Sequence, residues 1–198
     1  MRSGVGKVST MSTRLFVLTG GPGSGKTTLI EALQRAGFAC MVEAGRSIIQ
    51  DQMEIGGRAL PWGDPVLFAE MMLCWEMRSY RSAQGHAGPV FLDRGVPDVV
   101  GYLRLVGAAV PAHMQKAAAT FRYEPRVFIM PPWPQIFTQD SERKQTLREA
   151  ERTYDAMVET YTGLGYTLIT VPRMPVDDRV RFLIDAAGIG DAGRVEEA

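Results

Sequence analysis

Eight consecutive residues near the beginning of the chain have the types and spacing of a phosphate-binding loop. Residues 20–27 read G-G-P-G-S-G-K-T, which fits the pattern G-x-x-x-x-G-K-[ST]. Glycines let backbone N–H groups converge on a polyphosphate, and Lys26 would reach the β and γ phosphates as a point charge. The hydroxyl group of Thr27 would ligate Mg²⁺. The expected contacts with the nucleotide come from Gly20, Gly21, Pro22, Gly23, Ser24, Gly25, Lys26, Thr27 and Thr28.

The segments on either side of this loop favour nucleotide binding over a glycine-rich turn without a ligand. The apolar run 15–18 predicts a buried strand before the loop, and residues 27–33 continue as a helix after it. The first turn of that helix would direct unpaired N–H groups and the positive end of its dipole toward the anion. The chain lacks an N-K-x-D guanine-reading tetrapeptide, which disfavours the common GTPase switches. The expected nucleotide is ATP, with GTP as the alternative.

A second pair of chemically active residues, Asp93 and Arg94, follows the apolar run 89–92. A carboxylate at the end of a buried strand suits a Mg²⁺-linked ligand beside the phosphate loop. Motor-type ATPases usually place a water-activating Glu after this Asp. Arg94 instead suits a site that stabilises a transferring phosphoryl group or binds an anionic substrate. The alternatives are a capping role for Asp93 and an ion pair between Arg94 and Asp98.

Glu43 is the candidate general base. It follows the apolar run 38–42 at a strand end that we expect beside the phosphate loop, where it could accept a proton from a substrate hydroxyl group. The alternative is an exposed Glu43 paired with Arg46. The residues expected to line an acceptor pocket are Arg46, Arg94, Asp98 and Tyr102, with Trp62 and Trp133 as further candidates and ordinary caps or core aromatics as the alternative.

A basic cluster follows the proline-rich connection 131–140 and is typical of a lid. Arg143 lies nearest the start of the predicted helix 141–164 and is the candidate lid cation. Lys144, Arg148 and Arg152 are at successive i,i+4 positions on one face of that helix and could close over the phosphates together. Guanidinium groups there would neutralise developing charge and exclude water, as phosphoryl transfer requires. The alternative is a solvated face paired with neighbouring carboxylates.

Composition limits the partners and the compartment. Twenty-two basic residues balance twenty-two acidic ones, so no overall field recruits nucleic acid or an anionic membrane surface. Two cysteines without metal-ligand spacing argue against a zinc site or a disulfide framework and are typical of a reducing cytosol. No apolar run reaches the roughly 18 residues of a membrane span, and residues 1–14 lack the apolar core of a secretory signal. We therefore expect a cytoplasmic protein, with its oligomeric state left open.

Five short apolar runs alternate with helical patterns between residues 14 and 189. Such alternation predicts one three-layer α/β domain whose parallel five-stranded sheet presents the ligand at the carboxyl ends of its strands. The strands are expected at 15–18, 38–42, 89–92, 126–130 and 167–171. Residues 1–13 and 190–198 are expected to be flexible extensions, with Met1 or Met11 as the start of translation.

The phosphate loop, Glu43, the turn 93–95 and the basic helix after Pro131-Pro132 together carry a family resemblance. The chain resembles the small AAA-labelled P-loop ATPase family related to the nicotinamide ribonucleoside kinase domain, over residues 14–187. The resemblance implies a P-loop NTPase core of the kinase-like type with a helical lid, ATP or GTP bound at residues 20–28, and Mg²⁺. It does not specify the acceptor.

The leading hypothesis is a Mg²⁺-dependent phosphotransferase that moves the γ-phosphate of ATP onto a hydroxyl group of a small molecule. Its catalytic residues would be Lys26, Glu43, Asp93 and Arg143, with Thr27 and Asp93 as the metal ligands. The alternative is a slow NTPase that acts as a nucleotide-dependent regulatory or binding module.

Overall fold

The computed structural model of the protein describes residues 12–137 and 146–190. Its strands are β1 (Arg14–Gly20), β2 (Ala39–Met41), β3 (Pro89–Asp93), β4 (Arg126–Met130) and β5 (Thr167–Thr170). Its α-helices are α1 (Lys26–Arg35), α2 (Ala44–Glu54), α3 (Pro65–Ala83), α4 (Val96–Leu105), α5 (Ala112–Thr120), α6 (Leu147–Gly163) and α7 (Val176–Ala187). A turn of 3₁₀ helix covers Pro134–Ile136. The expected extensions lie almost entirely outside the described residues.

The five strands form one parallel sheet in the order β2-β3-β1-β4-β5, which confirms the predicted sheet. The central strand β1 pairs with β3 on one side and with β4 on the other, and Leu18 is in register with both Asp93 and Phe128. Because the strands are parallel, the turn after β3 lies beside the loop after β1. The strand before Glu43 lies one position further out than expected, since β3 separates β2 from β1.

Helices cover both faces of the sheet, as the predicted three-layer architecture requires. Side chains alternate between the faces of each strand, so Phe16 and Leu18 of β1 pack on one side and Val17 packs on the other. The first face is covered by α1 and α7 through Leu29, Leu33 and Leu183. The second face is covered partly by α6 through Met157 and Tyr161.

The beginning of α6 is determined by a capping box rather than by the apolar pattern. The hydroxyl group of Thr146 accepts a hydrogen bond from the backbone N–H of Glu149 at 3.2 Å, and the Glu149 carboxylate accepts one from the N–H of Thr146 at 2.6 Å. These hydrogen bonds lower the pKa of Glu149. The helix therefore begins at Leu147, later than the expected 141, and residues 138–145 lie outside the described residues.

None of the helices within residues 12–137 and 146–190 has the length and apolar character that a membrane span requires.

Candidate active site

The loop after β1 has the backbone form of an anion cradle. Gly25 has a φ of +79° and leads the chain directly into α1, whose N-terminus receives no side-chain cap. The N–H groups of the first turn of α1 are therefore available to an anion. Lys26 is only 7% exposed, and its Nζ lies 3.5 Å and 3.4 Å from the carbonyl oxygens of Gly20 and Gly21. Ser24 donates a hydrogen bond to the Gly21 carbonyl at 2.8 Å, which tightens the turn.

Two glycines of the loop lie against neighbouring backbone. A Cβ atom at Gly20 would lie 2.4 Å from the carbonyl oxygen of Met130 at the end of β4. A Cβ atom at Gly21 would lie 2.4 Å from the carbonyl oxygen of Ala150 in the first turn of α6. Both distances are impossible for a side chain, so glycine is required for β4 and α6 to approach the loop this closely. The helix of the expected lid is thus seated directly on the phosphate loop.

A cavity of about 400 Å³ opens in front of the loop. Its charged lining side chains are Lys26 and Arg179, and no carboxylate lines it among the described residues. This charge distribution suits a polyphosphate. The loop contributes Gly23, Ser24, Gly25, Lys26, Thr27 and Thr28, and the opposite wall contributes Trp133, Ile136, Met174, Pro175, Val176 and Arg179. Trp133, expected in an acceptor pocket, therefore lines the cavity in front of the phosphate loop, and Trp62 is largely exposed.

Asp93 ends β3 next to the loop and is 5% exposed. Burial raises its pKa to about 6, with a partial opposing effect of Lys26. Its Oδ1 atom is buried and has no hydrogen-bond partner, which is costly in a protein interior. A cation would satisfy this atom, and the exposed hydroxyl group of Thr27, which lines the cavity in front of the loop, offers a second oxygen ligand. These hard oxygen donors fit Mg²⁺, which takes its other ligands from water and phosphate. Within the described residues, no cluster of three or more His, Cys, Asp or Glu side chains could hold a metal ion.

Arg94 links the candidate base to the turn after β3. Its backbone has a φ of +79°, the one positive value of a non-glycine residue within the described ranges, and its N–H donates to the Leu18 carbonyl at 2.9 Å. Its Nε donates to Glu43 Oε1 at 3.0 Å, and its Nη1 donates to Asp98 Oδ1 at 3.1 Å. Burial by itself would lower the pKa of Arg94, but Glu43 and Asp98 outweigh it and raise the value. The strained backbone thus directs a fully charged guanidinium group between two carboxylates.

Asp98 is a buried centre of hydrogen bonds. Its Oδ1 accepts from the Thr19 hydroxyl at 2.6 Å as well as from Arg94, and its Oδ2 accepts from the Tyr161 hydroxyl at 2.5 Å and from the N–H of Gly95 at 3.1 Å. These contacts join β1, α4 and α6 at one point. Asp98 therefore orients Arg94 and tethers the elements around the site.

Tyr102 lies one turn further along α4 and does not line the cavity in front of the loop. Its ring packs edge-on against Phe68 at 5.4 Å, and its buried hydroxyl group has no hydrogen-bond partner. Burial raises the pKa of Tyr102 to about 12, so the group remains a neutral donor at physiological pH. A Cβ atom at Gly45 would lie 3.6 Å from Glu43 Oε1 and 3.8 Å from the Phe68 ring, which places this aromatic pair near the candidate base.

Glu76 is a buried acid that the sequence reasoning missed. It lies on α3 and is 4% exposed. Burial and the neighbouring Asp98 raise its pKa far above the usual range, and Arg94 opposes them only partly. The available signal was a charged residue at helical spacing from the apolar Ala69, Leu73 and Ala83, which places it on the inward face of α3.

The four predicted arginines outside the turn occupy different positions. Arg46 lies exposed on α2, and Arg148 lies exposed in the first turn of α6. Arg152 donates through Nη2 to the carbonyl of Leu105 at 3.4 Å, at the end of α4 opposite the site. Neither Arg148 nor Arg152 lines the cavity in front of the loop as the structure describes it. Arg143 and Lys144 lie outside the described residues.

Comparison with known proteins agrees with this geometry. A family model described as an AAA domain matches residues 15–179. The chain belongs to this AAA domain family. No curated protein matches the sequence significantly.

Solved structures with the same fold include a NadR protein and two kinases. A NadR protein in complex with NR superposes with a TM-score of 0.66 at 16% identity, over 94% of this chain and 53% of that one. Deoxyadenosine kinase from M. mycoides gives 0.60 at 12% identity, over 88% and 98% of the two chains. Thymidylate kinase from Ehrlichia chaffeensis gives 0.61 at 12% identity, over 90% and 100%. The AAA-domain chain thus spans about half the length of the NadR protein and has a P-loop kinase-like fold.

Proposed function

We propose that this protein is a Mg²⁺-dependent phosphotransferase that moves the γ-phosphate of ATP onto a hydroxyl group of a small molecule. The single observation that carries the proposal is the meeting of three groups at the carboxyl ends of adjacent strands. They are the cationic phosphate loop after β1, the buried Asp93 at the end of β3, whose Oδ1 atom has no hydrogen-bond partner, and the pair formed by Glu43 after β2 and Arg94 after β3.

The nucleotide would occupy the cavity in front of the loop. Backbone N–H groups of residues 20–28 would bind its phosphates, and Lys26 would contact the β and γ phosphates. Thr27 and Asp93 would hold Mg²⁺, which when bound neutralises charge on the phosphates. The apolar wall that contains Trp133 and Val176 offers the adenine ring of the nucleotide a surface from which water is excluded. A solved NadR complex with NAD and AMP-PNP and a deoxyadenosine kinase with bound dATP have this fold, which supports an adenine nucleotide as the donor.

Glu43 would act as the general base. As the acceptor oxygen attacks the γ-phosphorus in line, its proton passes to the Glu43 carboxylate, and the bond from the γ-phosphorus to the bridging oxygen breaks to release ADP. Arg94 orients this carboxylate through its Nε hydrogen bond, and Asp98 fixes Arg94 in turn. Because two carboxylates already engage Arg94, we assign it the positioning of Glu43 in preference to direct contact with an anion. Tyr102 remains a proposed acceptor contact, and Arg143 a proposed lid cation.

Calorimetric titration with Mg²⁺ and ATP tests the nucleotide half of the proposal. We expect Lys26→Ala to lose at least tenfold in affinity because the phosphates lose their buried cation, whereas Lys116→Ala on the exposed surface of α5 should bind normally. Equal affinities of the wild type and Lys26→Ala would refute nucleotide binding at this loop.

A phosphotransfer screen with labelled ATP against nucleosides, amino sugars and vitamins tests the other half. With an acceptor in hand, Glu43→Gln should retain ATP binding and lose transfer by roughly 10²–10⁴-fold, while the exposed Glu159→Gln should transfer normally. Bound ATP with slow hydrolysis that no small hydroxyl compound accelerates would instead support the nucleotide-dependent regulatory module.

A further inference from the structure

Arg179 of α7 reaches from the last helix of the domain to the phosphate loop. It is 4% exposed, and its Nη1 donates a long hydrogen bond to the Gly25 carbonyl at 3.4 Å. A Cβ atom at Gly25 would lie 3.0 Å from the same Nη1 atom and 3.4 Å from Nη2. The guanidinium group therefore lies directly against the residue that begins α1. It is placed there by a helix about 150 residues further along the chain.

This guanidinium group is buried without a compensating charge. Arg14, Arg94 and Arg181 each form an ion pair with a carboxylate, but Arg179 forms none with any residue in the described part of the chain. Its Nε atom is buried and has no hydrogen-bond partner. Burial of an unpaired cation is unfavourable, and it lowers the pKa of Arg179. A site that retains such a group is expected to receive an anion there.

The immediate surroundings restrict what that anion can be. Arg179 lines the cavity together with Lys26 and the N–H groups of the loop, and no carboxylate lines the cavity within the described ranges. One face of the guanidinium group lies over the Trp133 ring, with the Cζ atom 5.2 Å from the ring centroid. This contact restrains the plane of the group, so its N–H donors have a defined direction. An arginine has five donors and no acceptor, and it matches phosphate oxygens geometrically.

We infer that Arg179 is a second phosphate-binding cation of this nucleotide site, supplied by α7, which donates its unsatisfied N–H groups to a phosphate oxygen of the bound nucleoside triphosphate. The inference rests on the proposed nucleotide binding and goes beyond it, because the loop itself supplies Lys26 as its only cation. Bound nucleotide would then bridge α1 and α7, on the face of the sheet that those two helices share.

A ligand series separates a phosphate contact from a base contact. Calorimetry with ATP, ADP, AMP and adenosine would be run on the wild type, Arg179→Gln and Arg179→Lys. The matched control is Arg181→Gln, two residues away on the same helix, where the arginine is exposed and paired with Asp178. We expect Arg179→Gln to weaken ATP and ADP by about 10–100-fold and to leave adenosine within about twofold, since a charge-assisted bond to phosphate is lost. Arg179→Lys keeps the positive charge but lacks the planar guanidinium donors, so it should lose less affinity for ATP and ADP. Arg181→Gln should bind all four ligands normally.

Several results would overturn the inference. Equal losses for adenosine and ATP would show that Arg179 serves the base or the shape of the pocket, and undiminished ATP affinity would show that it contacts no phosphate. Thermal unfolding of each variant checks that it folds. If Arg179→Gln does not fold, the selective loss must appear in Arg179→Lys. If the wild type binds no nucleotide, both the inference and the proposed function are wrong. If Lys26→Ala has a reduced affinity for ATP and the Arg179 variants do not, the inference alone is wrong.

Discussion

Removal of the Asp98 carboxylate should mainly lower the free energy of unfolding of the protein and affect the KM for the acceptor less. Asp98 accepts hydrogen bonds from Thr19, Arg94, Gly95 and Tyr161, and it is 5% exposed. The sequence marked this residue only as an acceptor-binding candidate or an ion-pair partner. In the structure all four of these donors surround one carboxylate, so its replacement leaves several buried polar groups without a partner.

The magnitude follows from these contacts. Removing one partner of a buried ion pair costs about 3–5 kcal/mol, and Asp98→Ala also leaves two hydroxyl groups and one N–H unpaired. Glu43 still compensates Arg94, which limits the electrostatic loss, so we expect Asp98→Ala to lower the free energy of unfolding by at least about 4 kcal/mol. Thr19→Val and Tyr161→Phe each remove one hydrogen bond to a charged acceptor and should each cost about 1.5–3 kcal/mol.

Urea unfolding followed by far-ultraviolet circular dichroism measures these differences. Asp98→Asn keeps the shape of the side chain and should fall between the single-bond variants and Asp98→Ala, which supplies a folded variant if Asp98→Ala is too unstable. Because the groups share one acceptor, the losses from Thr19→Val and Tyr161→Phe should not be additive in the double variant. A change of less than about 1 kcal/mol in Asp98→Ala, together with a raised KM for the acceptor, would show that Asp98 is a substrate contact and that the reasoning is wrong.

Three further predictions concern single positions. Because the pKa of Asp93 rises from 3.8 to about 6 on folding, its contribution to stability is fully present below the lower value and is lost as the pH rises through the higher one. Without Mg²⁺, the free energy of unfolding of Asp93→Asn should therefore exceed that of the wild type by up to about 3 kcal/mol near pH 7.5 and by about half as much near pH 5. A difference that does not change with pH in urea titrations would contradict this. Gly21→Ala should lower the free energy of unfolding by about 1–3 kcal/mol and weaken ATP binding, because its Cβ atom would collide with the Ala150 carbonyl group. The control Gly163→Ala, with open space around it, should change the free energy of unfolding by less than about 1 kcal/mol. Equal effects of the two substitutions would exclude the collision. Tyr102→Phe removes a buried hydroxyl group that has no hydrogen-bond partner, so it should raise the free energy of unfolding by about 1 kcal/mol. The same substitution should raise the KM for the acceptor. A clear loss of stability would show that the hydroxyl group forms a hydrogen bond in the folded protein.

Local sequence signals were sufficient wherever one segment alone determined the structure. The α3 helix spans Pro65–Ala83, since Asp64 caps it and Pro65 suits its first turn. The strand β4 likewise follows from its continuous apolar run. At α6 the apolar periodicity predicted a start at residue 141, whereas the helix begins after the capping box at Thr146. That box is a local signal that the sequence also contains.

The phosphate loop and the parallel α/β sheet could be predicted from the sequence by itself, because close backbone approach, a buried strand and a following helix each leave a mark within a few neighbouring residues. Strand order leaves no such mark, and only the tertiary structure showed that β3 lies between β1 and β2. The sequence offered the Arg94–Asp98 pair as an alternative, but the contact of Arg94 with Glu43 appeared only in the fold. The same holds for Arg179, which the sequence places about 150 residues from Gly25 and the fold places against it. The charge environment of a side chain depends on the segments that surround it in space, so the unpaired state of Arg179 was decided by packing.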